Sequence, residues 1–243
     1  MPLSKIYIKQ YRLSHTSDGP MDIFLDTANL DEIREILSWG IVRGVTTNQK
    51  IFLNEKGVNF EQQVKQILEM VDGPVSIEAP AGDADGIIKV AREYSKWNKK
   101  KVVIKVPMLA NGDGLRAVHV LEREGIKTNV TAMMSVNQAF LAAAAGATFA
   151  SLFFNRIRDS GADPVEVVKQ SRAIIDQGGY KTKLIVGSIR HPNDVVEIAS
   201  ANPHVITIPY KILKQMPFHE KTVETLKEFD KAWEEFLKAE MKR

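Results

Sequence analysis

A single lysine interrupts an apolar run in "KVVIKVPM" (residues 101–108), where Val102, Val103, Ile104 and Val106 are β-branched and read as a buried strand. Desolvating an ammonium is costly, so Lys105 in that position asks for a reason. A lysine projecting into an apolar cavity can lose its proton near neutral pH. The neutral amine then adds to a ketone, and the resulting Schiff base is an electron sink for the carbanion left when the adjacent C–C bond breaks. The plainer alternative is a lysine paired with Glu78 or Asp26 to satisfy charge.

Other polar residues fall at comparable positions, each near the end of an apolar run: Asp26, Thr47, Asn48, Glu78, Asn129, Thr131, Ser151, Arg156, Ser188 and Arg190. Bond cleavage needs a base for the neighbouring hydroxyl, and Asp26 suits that role. Glu78 and Thr131 are placed to hold a water that carries protons to and from the Schiff-base carbon. Asn48 and Asn129 are candidates for holding substrate hydroxyls. Arg156 and Arg190 with Ser188 form a phosphate-binding set, since arginine grips phosphate oxygens through two parallel bonds. Plainer readings stand beside each: Asp26 as the cap of the first helix, Asn48 in a turn, Thr131 as a strand former, the arginines on the surface.

The elements that must carry these residues alternate. Apolar runs at 22–26, 42–48, 75–79, 101–107, 127–133, 148–153, 183–188 and 204–209 are each followed by a segment with helical spacing or helix-forming composition. Eight strand-then-helix units without a linker predict an α/β fold, a single (β/α)8 TIM barrel occupying 21–217. A doubly wound open sheet is the alternative, weakened by the absence of a GxGxxG or GxxxxGK[ST] loop. In a barrel, catalytic groups sit at the C-terminal strand ends, where these polar residues fall. Residues 1–20 read as an extension outside the fold. Residues 218–243 read as an extra C-terminal helix with Val223, Leu226, Phe229, Trp233, Phe236 and Leu237 along one stripe, which must cover either its own barrel or a neighbour.

Composition narrows the classes. The chain has 243 residues, 44% of them hydrophobic, and a formal charge of +3. That balance is too mild to argue for nucleic acid, and the Lys99-Lys100-Lys101 run reads as a solvated strand entrance. No apolar stretch approaches the roughly 20 residues of a membrane span, and the first residues lack the apolar core of a secretion signal. No cysteine is present and the five histidines are scattered, so no metal and no cofactor are expected. A cytoplasmic enzyme acting on small molecules, with no nucleic-acid or membrane partner, is the expectation.

Taken together, "FLDTAN", "GVTTN", "VVIKVPM", "EGIKTNVT", "AGATFASLFFNR" and "GSIRHP" resemble the small transaldolase family, which includes the fructose-6-phosphate aldolases. The likeness runs from Met21 to about Leu237. It implies a class I aldolase barrel that moves a dihydroxyacetone unit from a ketose phosphate to an aldose phosphate. By motif, it makes Lys105 the Schiff-base lysine, Asp26 the acid/base aspartate, and Glu78 with Thr131 the holders of the catalytic water. It makes Asn48, Asn129 and Ser151 donor-binding positions, Arg156, Ser188 and Arg190 the phosphate site, and Phe153 a neighbour of the Schiff base; Thr47, beside Asn48, is a further substrate-binding candidate from its place at the strand end. Glu78 and Phe153 resemble the transaldolase subtype, where the aldolase subtype has Gln and Tyr; Asn155 looks more like the aldolase subtype. The resemblance also implies a homo-oligomer, a decamer of two pentamers, with the helix at 218–243 placed between subunits. The chain departs from the family's usual TTNPS or TTNPT in reading TTNQK, with Gln49 and Lys50, and "MLANGDG" is about two residues longer than the usual loop.

Overall fold

Strands of β-branched residues with alternating side-chain direction bury one face inward and one outward. In the computed structural model, which describes residues 19–54, 57, 59–80 and 82–241, eight such strands form: β1 (Asp22–Asp26), β2 (Val42–Thr46), β3 (Val75–Glu78), β4 (Val102–Pro107), β5 (Thr128–Met133), β6 (Phe149–Phe153), β7 (Lys183–Gly187) and β8 (Val205–Pro209). They pair in parallel in chain order, and β8 closes onto β1 in register from Asp22↔Val205 to Asp26↔Pro209. The fold is a (β/α)8 TIM barrel with an added C-terminal helix. The proposed extension at 1–20 lies almost entirely outside the described residues.

The barrel interior is layered, as the two-residue period requires. A lower layer packs Phe24, Val103, Phe149, Ile185 and Val205, with the Phe24 and Phe149 rings edge to face at 6.0 Å. Gly44 leaves room for it, since a Cβ there would lie 2.8 Å from Phe24 Cζ. Two residues further along the same strands come Asp26, Lys105, Ser151, Gly187 and Thr207, all of which line the cavity above. The same alternation that closes the floor with apolar groups therefore lifts polar ones to the mouth. At the other end of the barrel, the Glu122 carboxylate accepts from the main-chain N–H and hydroxyl groups of both Thr128 and Thr148, tying together the entries to β5 and β6.

The outer helices are α1 (Leu30–Leu37), α2 (Gln49–Asn54), α3 (Phe60–Met70), α4 (Ala84–Ser95), α5 (Asp113–Arg123), α6 (Val136–Ala144), α7 (Phe154–Asp159), α8 (Pro164–Gln177), α9 (Pro192–Ser200), α10 (Tyr210–Gln215) and α11 (Glu220–Glu240). Side-chain caps start several of them: Asn29, Asn59, Asp83, Ser135 and Asp163 accept from main-chain N–H groups of the first turn. Asp26 is not a cap; that place belongs to Asn29. The short helices α2 and α7 each lie between a strand and a longer helix, α3 and α8, whose stronger periodicity is the signal the sequence shows.

α11 is long and lies wholly at the surface: none of its residues is buried, and Phe229 and Trp233 remain 63% and 60% exposed. Trp233 stacks on Phe236 at 5.4 Å, so the helix presents an aromatic face outward. Among the described residues, no helix is long and apolar enough to cross a membrane.

Candidate active site

The C-terminal strand ends enclose a cavity of about 430 Å³. Lys105 stands in its wall, only 6% exposed, and its Nζ donates to the Thr47 carbonyl at 3.0 Å. Among the described residues no carboxylate forms a direct ion pair with it, although its charge reaches the Asp26 carboxyl. Glu78 is its register partner on β3, and Asn129 its register partner on β5.

Asp26 closes β1 and accepts at 2.7 Å from the Thr46 hydroxyl, which also meets the Thr207 hydroxyl at 2.5 Å. Burial raises the Asp26 carboxyl above the usual aspartate value; the Lys105 charge and the Thr46 hydrogen bond pull the other way, and the Glu78 charge adds a smaller upward push. A carboxyl so placed holds its proton more readily than one in water, as acid/base exchange with a substrate hydroxyl requires.

Asn129 is fully buried. Its Nδ2 donates to Ser76 Oγ at 3.2 Å, and its Oδ1 accepts from Ser151 Oγ at 2.7 Å, a chain of three side chains running across β3, β5 and β6. Thr131 is 2% exposed, and its hydroxyl has no hydrogen-bond partner among the described residues. A buried hydroxyl without a partner is costly, and a group or water in the cavity would satisfy it. The register of β5 against β6 slips between Val130 and Met133, and Ala132 takes φ 59 there, which brings it to the cavity wall.

Of the residues named from the sequence, Asp26, Asn48, Glu78, Lys105, Asn129, Thr131, Ser151, Phe153, Arg156 and Ser188 line this one cavity. Thr47 does not: its hydroxyl donates to the Ser76 carbonyl at 2.8 Å, and it meets the site through its own carbonyl. Asn48 reaches the cavity and also starts α2, accepting from the Ile51 N–H at 2.9 Å, so the turn role and the lining position coexist. Arg190 does not line the cavity; its guanidinium donates to both Asp159 oxygens, at 2.8 and 2.5 Å. That pair holds the Asp159 carboxyl below its usual value, with the charges of Arg156 and Arg158 contributing less.

Sequence reasoning missed the group that fixes the β7 end. Asp194, 2% exposed, accepts from the Arg190 and His191 N–H groups at 2.8 and 3.0 Å, from Asn155 Nδ2 at 2.7 Å and from Arg158 at 3.0 Å. Burial opposes its ionisation, but these bonds outweigh it and bring the carboxyl down to about 2. Asn155 also donates to the Ser188 carbonyl at 2.9 Å, which helps hold Ser188 at φ 62, a left-handed conformation that a serine adopts only when its surroundings impose it. One signal was available: Asp194 stands three residues after His191 with Pro192 between, the spacing of a helix start.

The Transaldolase/Fructose-6-phosphate aldolase family matches over residues 23–243. Among curated relatives, a probable transaldolase of Desulforudis audaxviator is 46% identical over 213 residues, 88% of this chain and 97% of that protein. One from Caldicellulosiruptor saccharolyticus is 45% identical, covering 90% of this chain and 99% of that protein. One from Thermoanaerobacter sp. is 44% identical, covering 88% and 97%.

Proposed function

We propose a function on one premise: this chain belongs to the Transaldolase/Fructose-6-phosphate aldolase family and is an enzyme of the transaldolase type. The reaction proposed is transfer of a dihydroxyacetone unit from a ketose phosphate, such as fructose 6-phosphate or sedoheptulose 7-phosphate, to an aldose phosphate. Lys105 attacks the ketone, water leaves, and a protonated Schiff base forms. Asp26 takes the proton of the hydroxyl beside the bond to be broken. The C–C electron pair moves into the Schiff base as an enamine, and the first aldose departs. The second aldose enters, the enamine attacks its carbonyl, Asp26 returns a proton to the new alkoxide, and hydrolysis frees Lys105. Glu78 and Thr131 hold the water that leaves and returns. Asn48, Asn129 and Ser151 bind donor hydroxyls; Phe153 packs beside the Schiff base; Arg156 and Ser188 receive the phosphate, with Arg190 joining when Asp159 releases it.

The observation that carries this reading is a buried lysine with no direct ion pair among the described residues, in one cavity with Asp26, Glu78 and the unpartnered Thr131 hydroxyl. Plain binding of a sugar phosphate needs no such set. An aldolase that releases free dihydroxyacetone is the second reading, for which Asn155 speaks by resemblance; yet its amide is bonded to Ser188 and Asp194 rather than facing the cavity. Incubation with fructose 6-phosphate, with and without erythrose 4-phosphate, separates the two. Turnover only with the acceptor, yielding sedoheptulose 7-phosphate, is expected; free dihydroxyacetone from the donor alone would favour the aldolase.

The exposed aromatic face of α11 supports a homo-oligomer in which this helix lies against a neighbouring subunit, a decamer of two pentamers being the proposed form. A cytoplasmic place is proposed from the family resemblance.

A further inference from the structure

Two hydroxyls stand behind the Asp26 carboxylate. Thr46 on β2 donates to Asp26 Oδ1 at 2.7 Å, and the same Thr46 oxygen lies 2.5 Å from the Thr207 hydroxyl on β8. Both threonines are buried and both line the cavity. Among the described residues, Thr46 is the one hydrogen-bond donor to Asp26. Distance alone lets either threonine donate to the other. The hydrogens decide between them: an ionised carboxylate only accepts, and a hydroxyl has a single hydrogen to give. The Thr46 hydrogen goes to Asp26, so the one between the two threonines belongs to Thr207. The opposite side of Thr207 is fitted as closely. Gly187 on β7 makes room for its methyl, since a Cβ there would lie 2.9 Å from Thr207 Cγ2.

We propose that Thr207 is a positioning residue for the reaction: by donating to Thr46 it keeps the Thr46 hydrogen on Asp26 Oδ1, which holds the carboxylate ionised and leaves Oδ2 to exchange protons with substrate. The inference rests on the acid/base role proposed above for Asp26. Burial works against the ionised form, so a hydrogen aimed permanently at Oδ1 matters more here than in water. The charged groups facing Asp26 are Lys105 on β4 and Glu78 on β3, with Lys50 on α2 and Arg156 on α7 around the same cavity. Among the described residues, β8 adds only the uncharged Thr207 to that wall. Replacing it therefore leaves the local charges as they are and changes the direction of one hydrogen bond.

The experiment follows kcat against pH at saturating ketose phosphate, using the full chain. This quantity reports groups of the bound complex, in which Lys105 is already a Schiff base, so Asp26 sets the acidic limb. Losing a hydrogen bond to the ionised form moves that limb to higher pH. Thr207→Val and Thr207→Ala should each raise its midpoint by about half a pH unit, because Thr46 keeps its bond but not its imposed direction. Thr46→Val removes the bond itself and should raise it by about one pH unit. Thr207→Ser keeps the hydroxyl and should keep the parent midpoint. Since Thr207 acts through Thr46, the Thr46→Val/Thr207→Val pair should match Thr46→Val alone. Valine and alanine differ in bulk, so poor packing of one still leaves the other to be read. An unmoved midpoint in the hydroxyl-free variants, an equal shift in Thr207→Ser, or shifts that add in the pair would overturn the positioning role. Parent-rate turnover in Asp26→Asn would instead remove the role assigned to Asp26 itself, and this inference with it.

Discussion

Replacing Asp194 by asparagine should destabilise the protein by an amount that depends on pH in a defined way. The Asp194 carboxyl stands at about 2 against an ordinary 3.8, which is 3.8 − 2 = 1.8 units and corresponds to about 2.4 kcal/mol at pH 7 at 1.36 kcal/mol per unit. A lowered carboxylate stabilises above its unfolded value and loses that contribution as pH falls through its folded value. At pH 3, midway through the window, about 1.3 kcal/mol should remain. Asparagine supplies none of this titrating part and turns an NH2 toward one or more of the donors shared between the two Asp194 oxygens, so the difference between parent and variant should be largest near neutrality. It should shrink by about 1 kcal/mol between pH 6 and pH 3. Urea unfolding at matched protomer concentration and several pH values reads it. A difference that is flat across that range would refute the charge argument. The variant should also bind phosphorylated donors more weakly, because Asn155 and the Arg190 N–H lose the anchor that sets Ser188.

Three further outcomes follow. Asp26 is raised by burial, so its ionised form is less favourable in the fold than in the unfolded chain, and stability falls as pH rises from about its ordinary 3.8 through the folded value; Asp26→Asn should therefore gain thermal stability over the parent as pH rises through that window while losing turnover. Arg156→Ala should raise KM for phosphorylated donors about tenfold relative to unphosphorylated ones, and Arg190→Ala by less, since only Arg156 lines the cavity and Arg190 is engaged with Asp159; equal effects measured in parallel would show that the Arg190–Asp159 pair opens for substrate. Removing residues 219–243 should lower the assembly state in light scattering and reduce activity, because the aromatic face of α11 proposed to lie against a neighbour goes with it; an unchanged assembly would remove α11 from the interface.

The barrel was legible because its signals are local. "DIFLD" forms β1 over its full length, and the β-branched run around Lys105 forms β4. The two-residue period says which side chains share a layer, so a polar residue two places after an inward apolar one can be assigned to the mouth from sequence. What was not legible depends on partners distant in the chain. Arg190 looks like a free phosphate ligand until Asp159, 31 residues away, is seen to hold it. Asn155 and Asp194 stand 39 residues apart and look unremarkable singly. Thr207 reads as an ordinary strand residue until its hydroxyl is seen to meet that of Thr46, 161 residues away.

The Schiff-base assignment of Lys105 is tested most directly by borohydride trapping. The protein is incubated with fructose 6-phosphate, reduced, digested and examined by mass spectrometry. A stable adduct carrying the reduced dihydroxyacetone unit or the intact donor is expected on Lys105 alone, absent in Lys105→Ala and in Lys105→Arg, whose guanidinium stays protonated and cannot add to a carbonyl. Turnover at the parent rate in either variant, or an adduct on a different lysine, would contradict it.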